Sequence, residues 1–466
     1  PPVPARYLRT ASLLFAAALT GVYGLAFLPA AWFRFDDFWQ LNASVVERGS
    51  LITILTAPNE ADGRWNPGMR ALLRGIAAAS GLERAWPFYL ALIGAHAINV
   101  YLSARIAAVL GAGARGQWAA AFVAIAAINL SAYSLVSVFL LHGVAALSFA
   151  LAAVLSAARY AQDGKTWRLA VAAAATVAGL LCKEYAIVAP LLAAVAVAAA
   201  PGRRSGLAVW VRVVAAFAVA GVAFALLQWL AGAPLIPARG RYSSVAIRDA
   251  GRTLAWNLAH VSVWLALPAY MAWRGPDRRA ALRALLIASA LVLVPMLPTL
   301  LLPWRSPGHL YLFLFSTAAG AGLLIAASVP SPSMVRHLWM LVAAAVVAAV
   351  LLVSGRHQIL SWGPLTRQAL ADWHAQRRPE DKRVVWFDAE YLAPYGGLAD
   401  LIGPGIRLRE ALEMTTGEQI DAAAICIPIV VGERYVAQPG DALFVHERGR
   451  LRRLAQPYFA HATCLP

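Results

Sequence analysis

Long apolar runs separated by short polar gaps are the feature that most constrains the fold of this chain. A membrane-crossing helix needs about 20 apolar residues in a row. Such runs lie near 10–31, 86–104, 117–134, 138–158, 168–181, 185–200, 208–232, 255–273, 284–302, 309–328 and 335–354. The 466-residue chain is 61% hydrophobic, with a mean hydropathy of +0.64, more apolar surface than a soluble protein could bury. We therefore predict an all-α polytopic membrane protein with about eleven transmembrane helices, forming a domain over 1–355.

The net charge of +17 and the pI near 10.4 invite a nucleic-acid interpretation, which the distribution of the basic residues opposes. The chain has only three lysines, Lys165, Lys183 and Lys382, and its arginines cluster in gaps between apolar runs. The gaps on one side contain Arg6, Arg9, Arg105, Arg115, Arg159, Lys165, Arg168, Arg203, Arg204, Arg212, Arg274, Arg278, Arg279, Arg283 and Arg336. The positive-inside rule makes that side cytoplasmic, and we expect no nucleic-acid partner.

The first apolar run, about 10–31, has features of both a signal peptide and a retained span. Arg6 and Arg9 precede it, but aromatic residues rather than a small-residue cleavage site follow it. We expect a retained span with a cytoplasmic N-terminus. An odd number of spans then puts the tail on the extracytoplasmic side.

The remaining gaps carry the acidic and unusual polar residues, and all of them fall on the second side. They are the first outer loop at about 32–85, the Lys183–Glu184 step, the 233–254 segment and the 303–308 segment. This asymmetry is the strongest indication of function in the sequence.

A pair of carboxylates, Asp36 and Asp37, follows the first span in AWFRFDDFWQLN. Adjacent like charges repel and are costly to desolvate, so hydrocarbon is the wrong environment for them. They are either ordinary hydrated loop residues or parts of a site at the membrane surface.

The first outer loop also contains an amphipathic helix signal in GRWNPGMRALLRGIAAASG. Asn66 suits an N-cap, Pro67 the first helical turn and Gly81 the helix end. Arg70 and Arg74 lie one turn apart, away from the apolar side. We expect a helix in the membrane interface whose arginines meet either a substrate phosphate or lipid headgroups.

Lys183 and Glu184 interrupt apolar sequence in LLCKEYAIVAP. Charges at membrane depth need partners or water, so a break between two short helices is expected there. A snorkelling lysine and a helix-terminal glutamate are the alternative. For other polar residues in predicted spans, namely His142, Gln228, Asn257 and His260, interhelical hydrogen bonding is the expected role.

The tail, 356–466, changes to β-rich segments such as KRVVWFDAEY, DAAAICIPIVV and DALFVHERGRLRRL, with turn signals between them. We predict a small C-terminal α/β extracytoplasmic domain. If it lies in an oxidising compartment, Cys426 and Cys464 can pair.

Four motifs together resemble the GT-C glycosyltransferases, the superfamily of protein O-mannosyltransferases and the lipid A aminoarabinose transferase. They are FDDF after the first span, RWNP in the first outer loop, CKEYAIVAP between two short spans, and RSPGHLYLF. The resemblance covers about 10–354. It implies an inverting hexosyl- or pentosyltransferase in the bacterial inner membrane. Its donor is a sugar linked through phosphate to a polyprenyl lipid, and its acceptor is a lipid, glycan or protein.

The resemblance also implies roles for individual residues. Asp36 corresponds to the first acidic residue that serves the reacting centre, and Asp–Asp here replaces the more common Asp–Glu. Asp36 and Asp37 are the catalytic candidates and the ligands of a divalent cation such as magnesium or manganese, if one binds. The candidates for holding the donor phosphate are Lys183, Arg239, Arg241, Arg305 and His309. The supporting candidates are Glu184, Arg64, Arg70, Arg74 and Tyr311.

Two rival functions remain open at this stage. A transporter or flippase for a lipid-linked sugar also needs many spans and charged groups, but transporters usually gather those near the midplane in related halves. A non-catalytic scaffold that presents the tail leaves the shared sidedness of the polar motifs unexplained.

Overall fold

The protein, described by a computed structural model, is largely helical and ends in a small sheet. The structure describes residues 32–33, 36–46, 52, 56, 65–127, 130, 138–202, 206–233, 244–301, 307–328, 357–389, 405–427, 438–458 and 463–465. Its helices up to residue 328 are α1 (Asp36–Leu41), α2 (Pro67–Ser80), α3 (Trp86–Val109), α4 (Gly113–Ala126), α5 (Leu141–Asp163), α6 (Trp167–Cys182), α7 (Ala189–Ala199), α8 (Leu207–Leu230), α9 (Ser244–Trp273), α10 (Arg278–Met296) and α11 (Pro307–Ala327).

Short turns of tighter or wider helix precede or follow several of these elements. A π-helical turn, Asn42–Val46, continues α1, and a 3₁₀ turn, Val138–Leu140, leads into α5. Further 3₁₀ turns, Glu184–Val188 and Leu297–Leu301, precede α7 and follow α10. Such turns reorient the chain at helix ends.

The membrane-protein class is supported, whereas the count of about eleven spans is not. Five described helices are long and apolar enough to cross a bilayer, namely Trp86–Val109, Leu141–Asp163, Leu207–Leu230, Arg278–Leu300 and His309–Ala327. Two shorter apolar helices, Trp167–Cys182 and Glu184–Ala199, flank Lys183. Helix α4 has 14 residues, or roughly 21 Å at 1.5 Å per residue, less than a bilayer core of about 30 Å.

The remaining predicted spans differ in their outcome. The predicted span 255–273 lies in α9, which is not one of the five helices named above. Asn257 and His260 interrupt its apolar sequence. The predicted spans 10–31 and 335–354 lie outside the described residues, as does the predicted domain boundary at 355.

The helices from α3 to α11 alternate in direction, so their ends gather at two opposite ends of the bundle. Contacts near one end join the C-terminal parts of α3 and α5 to the chain after α7: Gln162 Nε2 donates to the carbonyl oxygens of Val109 and Pro201, at 3.1 and 3.3 Å. Arg283, near the start of α10, donates to Ala199 O at 2.9 Å. We call this the arginine end, and the opposite one, where α6 ends at Cys182, the lysine end.

Small residues allow close helix packing within the bundle. A Cβ on Gly116 of α4 would lie 2.5 Å from the carbonyl oxygen of Gly322 in α11. Without a side chain at either position the two backbones approach closely, as is common in membrane helix pairs.

The tail forms an α/β unit, as predicted. Helix α12 (His357–Gln376) precedes β1 (Arg383–Asp388), and α13 (Gly405–Thr416) precedes β2 (Ala422–Ile427). Three further strands follow: β3 (Asp441–Glu447), β4 (Arg450–Leu454) and β5 (Thr463–Leu465). The sheet order is β4-β3-β1-β2-β5, with β1 parallel to β2 and β3, and with β4 and β5 antiparallel to their neighbours.

Two kinds of contact hold the tail together. Cys426 of β2 and Cys464 of β5 are cross-strand partners joined by a disulfide, with their Cα atoms 4.0 Å apart. Asp372 of α12 accepts hydrogen bonds from the Arg450 guanidinium and from Leu451 N, at 2.8 to 2.9 Å. Burial raises the pKa of Asp372, but these hydrogen bonds outweigh it and keep the pKa below its usual value.

Candidate functional site

The Lys183–Glu184 step breaks the helix, as the sequence predicts. Helix α6 ends at Cys182, Lys183 has an extended backbone (φ −165°, ψ 149°), and Glu184 begins the 3₁₀ turn. The Lys183 side chain is only 4% exposed. A snorkelling lysine would be exposed at its head, so this alternative is excluded in favour of a cation held inside the protein.

A histidine and a tyrosine hold the Lys183 ammonium. Lys183 Nζ lies 2.5 Å from His142 Nε2 at the start of α5. It also lies 4.8 Å from the centre of the Tyr185 ring, within the range of a cation–π contact. Tyr185 in turn meets the half-buried ring of His309 edge to face, with ring centres 6.5 Å apart. The structure thus brings together two of the predicted phosphate-holding residues, Lys183 and His309, through Tyr185.

The aspartate pair lies on α1, which aromatic packing anchors to α3. Phe33 and Phe38 are fully buried, Phe33 packs edge to face on Phe88, and Tyr89 donates a hydrogen bond to Trp32 O at 3.0 Å. Asp36 begins the helix, and the Asp37 side chain is fully buried. Asp37 is therefore not an ordinary hydrated loop residue, because a carboxylate removed from water needs compensating contacts.

Helix α2 has the predicted boundaries but a different setting. Pro67 begins it and Gly81 ends it with φ +73°, although the Asn66 side chain does not cap it. We expected both arginines to be available to phosphate, but Arg70 is only 6% exposed because the helix packs into the protein body rather than lying over it. Arg74 is half-buried, and its Nη1 has no hydrogen-bond partner in the described part of the chain.

The N-terminus of α2 abuts the Lys183 step. A Cβ on Gly68 would lie 3.1 Å from Cys182 Sγ and from the Leu181 carbonyl group. The same helix contacts the Asn42–Val46 turn and α1. Helix α2 therefore bridges the aspartate segment and the lysine step.

A second route of contact joins the same two motifs. Helix α1 touches the Val138–Leu140 turn, which leads directly into Leu141 and His142. The aspartate helix, the start of α5 and the Lys183 step therefore lie at the same end of the bundle.

The tail domain packs on the aspartate segment as well. Helix α13 contacts α1 and the turn that follows it, and Asn42 Nδ2 donates to Glu413 Oε2 at 3.2 Å. The Arg367 guanidinium of α12 lies 5.3 Å from the Trp32 ring centre. The disulfide-linked domain therefore sits over the lysine end.

Tyr311 lies deeper in the bundle. Its hydroxyl is 2.9 Å from His96 Nδ1 and 3.4 Å from Asn99 Nδ2, which also donates to Val144 O at 3.0 Å. Tyr311 is 1% exposed. The Tyr311 hydroxyl therefore links α11 to α3 inside the bundle.

Several predicted site residues are outside this description. Arg64, Arg239, Arg241 and Arg305 lie outside the described residues, and of Asp36 only the backbone is described. Glu184 is half-buried in the first turn after the helix break. Among the described residues, no three His, Cys, Asp or Glu side chains form a group fit for a metal ion. No step of the mechanism below depends on one.

The other polar residues in predicted spans have mixed roles. Asn257 contacts a neighbouring segment, Thr299 Oγ1 at 3.1 Å, whereas His142 contacts Lys183 at the helix break. His260 contacts Trp256 O of its own helix at 2.8 Å. Tyr185, which the sequence reasoning did not single out, lies two residues after Lys183, and this spacing is the only signal that could have suggested it.

Comparison with known proteins adds no assignment. No family model matches this chain, and no curated protein matches it significantly. The resemblance to the GT-C glycosyltransferases therefore rests on the four short motifs.

Proposed function

We propose that this protein is an inverting membrane glycosyltransferase of the GT-C type. It transfers a sugar from a polyprenyl-phosphate donor to an acceptor on the extracytoplasmic face of the bacterial inner membrane. One observation carries the proposal: the Asp36–Asp37 helix, the buried Lys183 cation and the disulfide-linked tail meet at one end of the bundle, away from the arginine end.

The chemistry requires both charge types at one place. A carboxylate of the aspartate pair takes the proton of an acceptor hydroxyl while the acceptor oxygen bonds to the anomeric carbon of the sugar. The bond from that carbon to the phosphate oxygen breaks, and its electron pair stays on the leaving polyprenyl phosphate. Lys183 and His309 stabilise the charge that accumulates on this phosphate.

The setting suits a lipid-linked donor. The polyprenyl tail stays in the bilayer while the phosphate and the sugar react at the membrane surface. A buried ammonium in a water-poor site stabilises a developing anion more strongly than a hydrated one does. The disulfide supports an oxidising compartment for the tail, and hence an extracytoplasmic site.

The experiment that tests this function is transfer of a labelled sugar from a short polyprenyl-phosphate donor in detergent. Detergent removes the two leaflets that a flippase needs, so transfer under these conditions separates the two functions. We expect the wild-type protein to transfer sugar and Asp36→Asn or Asp37→Asn to lower turnover by at least about 100-fold. The division of labour between the two carboxylates follows from which variant loses more.

Asp277 offers a matched control, because it is an exposed aspartate that caps α10 by accepting from Arg279 N and Ala280 N. Asp277→Asn should keep near-normal turnover. Normal turnover in both Asp36→Asn and Asp37→Asn would remove the assignment. Flipping in vesicles without transfer in detergent would favour the transporter.

A further inference from the structure

The contact between His142 and Lys183 has a direction that the chemistry of the two side chains sets. A lysine ammonium has donors and no acceptor, so at 2.5 Å the His142 Nε2 atom must accept the hydrogen bond. His142 is the second residue of α5, where the partial positive charge of the helix N-terminus also disfavours a second cation.

The start of α5 is fitted closely around the lysine. Gly143 follows His142, and a Cβ there would lie 3.0 Å from Tyr185 Cε2 and 3.7 Å from Lys183 Cδ. Lys183 is thus confined by α5 along its stem, by the Tyr185 ring at its head and by His142 at its Nζ atom. Its ammonium has little freedom to move.

Further side chains with hydrogen bonds or ring contacts near this pair come from three elements. Tyr185 follows the helix break, and His309 reaches its ring from α11. His96 and Tyr311 lie behind, connected through Asn99 to Val144 O of α5. Imidazole and aromatic side chains therefore surround the Lys183 ammonium on these sides.

We propose that His142 is a positioning residue that, as a hydrogen-bond acceptor, orients the Lys183 ammonium toward the phosphate of the lipid-linked donor. This inference rests on the proposed function and adds to it a residue that does not itself touch the substrate. Holding the cation in place before the donor arrives avoids the free-energy cost of ordering a flexible lysine during binding.

The test compares an acceptor-preserving substitution with acceptor-removing ones. His142→Gln keeps an oxygen acceptor at similar reach, whereas His142→Leu has none and His142→Asn is too short. Binding of farnesyl phosphate to the detergent-solubilised protein and the KM for the lipid-linked donor are measured for each. We expect His142→Leu and His142→Asn to raise the Kd for farnesyl phosphate and the KM for the lipid-linked donor about tenfold each. This is the size of one lost hydrogen bond to a charged group, about tenfold in affinity.

For His142→Gln, the Kd for farnesyl phosphate and the KM for the donor should stay within about threefold of the wild-type values, because the hydrogen bond is kept. The KM for the acceptor should not change in any variant. His260→Leu is the matched control, since the hydrogen bond of His260 at 2.8 Å goes to Trp256 O of its own helix. Melting temperatures in detergent verify that each variant folds, and His142→Asn keeps the test available if His142→Leu does not fold.

The outcomes separate this inference from the function on which it rests. Equal losses in His142→Gln and His142→Leu, or normal farnesyl phosphate binding by a folded His142→Leu, would overturn the positioning role while wild-type transfer still supports the enzyme. Failure of the wild-type protein itself to bind farnesyl phosphate and to transfer sugar would overturn the enzyme.

Discussion

The two ends of the helix bundle differ in that, among the described residues of the membrane region, buried basic side chains occur at one end and not at the other. At the arginine end, the described basic residues of the polar gaps are all exposed or half-buried. They are Arg105, Arg115, Arg159, Lys165, Arg168, Arg212, Arg274, Arg278, Arg279 and Arg283. At the lysine end, Arg74 is half-buried and Arg84 and Arg252 are exposed, but Lys183 is only 4% exposed and Arg70 only 6% exposed.

The contacts at the two ends explain this difference. Arg168 pairs with its near neighbour Asp163 at 2.7 Å, and Arg283 donates to the carbonyl of Ala199, the last residue of α7. Such contacts satisfy helix ends and keep charge in the polar gaps, which is what orientation in a bilayer requires. Burial of a cation is costly, so Lys183 at the other end is expected to have a function that offsets that cost.

The largest expected effect concerns the side of the membrane on which each end of the bundle lies. Cysteines introduced by Glu83→Cys, just before α3 begins at the lysine end, and by Arg279→Cys at the arginine end both replace exposed residues. We expect a membrane-impermeant maleimide to label the first in intact spheroplasts and the second only after permeabilisation. Cys182, which is buried, should stay unlabelled in the folded wild-type control. Labelling of both sites from the same side of the membrane would contradict the placement of the two ends on opposite sides, and with it the proposed active site.

The next largest effect concerns the two lysines of the membrane region. Lys183→Gln removes a buried cation from the proposed phosphate site, and we expect turnover to fall about 100-fold or more, as for loss of one group that stabilises a transition-state charge. Lys165→Gln makes the same chemical change at an exposed position of the arginine end. It should alter turnover less than about twofold.

The measurement is sugar transfer in detergent, with melting temperature as the control for folding. Equal losses in the two variants would mean that Lys183 acts through general charge or stability. The proposal that Lys183 binds phosphate, whereas Lys165 only helps to orient the chain in the bilayer, would then be wrong.

The sequence predicts those features of the lysine end that depend on local patterns. The helix break at Lys183, the start of α2 at Pro67 and its end at Gly81 all follow from local residue preferences. The α/β character of the tail follows from alternating strands and turn signals. These elements required no knowledge of distant contacts.

The features that the sequence could not provide are tertiary. His142 lies 41 residues before Lys183, and no spacing rule connects them. Arg70 was expected at a surface because helical periodicity gives its face but not what packs against that face. Hydropathy likewise predicted a span at 117–134, where α4 ends at Ala126 after 14 residues, because hydropathy measures composition over a window and not where a helix ends.

The smallest expected effect tests how closely α2 must approach the Lys183 step. A Cβ on Gly68 would lie 3.1 Å from the backbone of Leu181 and from Cys182 Sγ, so Gly68→Ala forces α2 or the helix break to shift by a few tenths of an ångström. Gly75 lies on the same helix with no atom within 4 Å of its Cβ position. Gly75→Ala should therefore stabilise the protein by up to about 1 kcal/mol through helix propensity alone.

We expect Gly68→Ala instead to lower turnover about threefold to tenfold without a gain in melting temperature, because misplacing catalytic groups by a fraction of an ångström weakens catalysis. If both variants keep full turnover, the approach of α2 to Lys183 is structural packing, and the lysine end tolerates the same freedom as the arginine end.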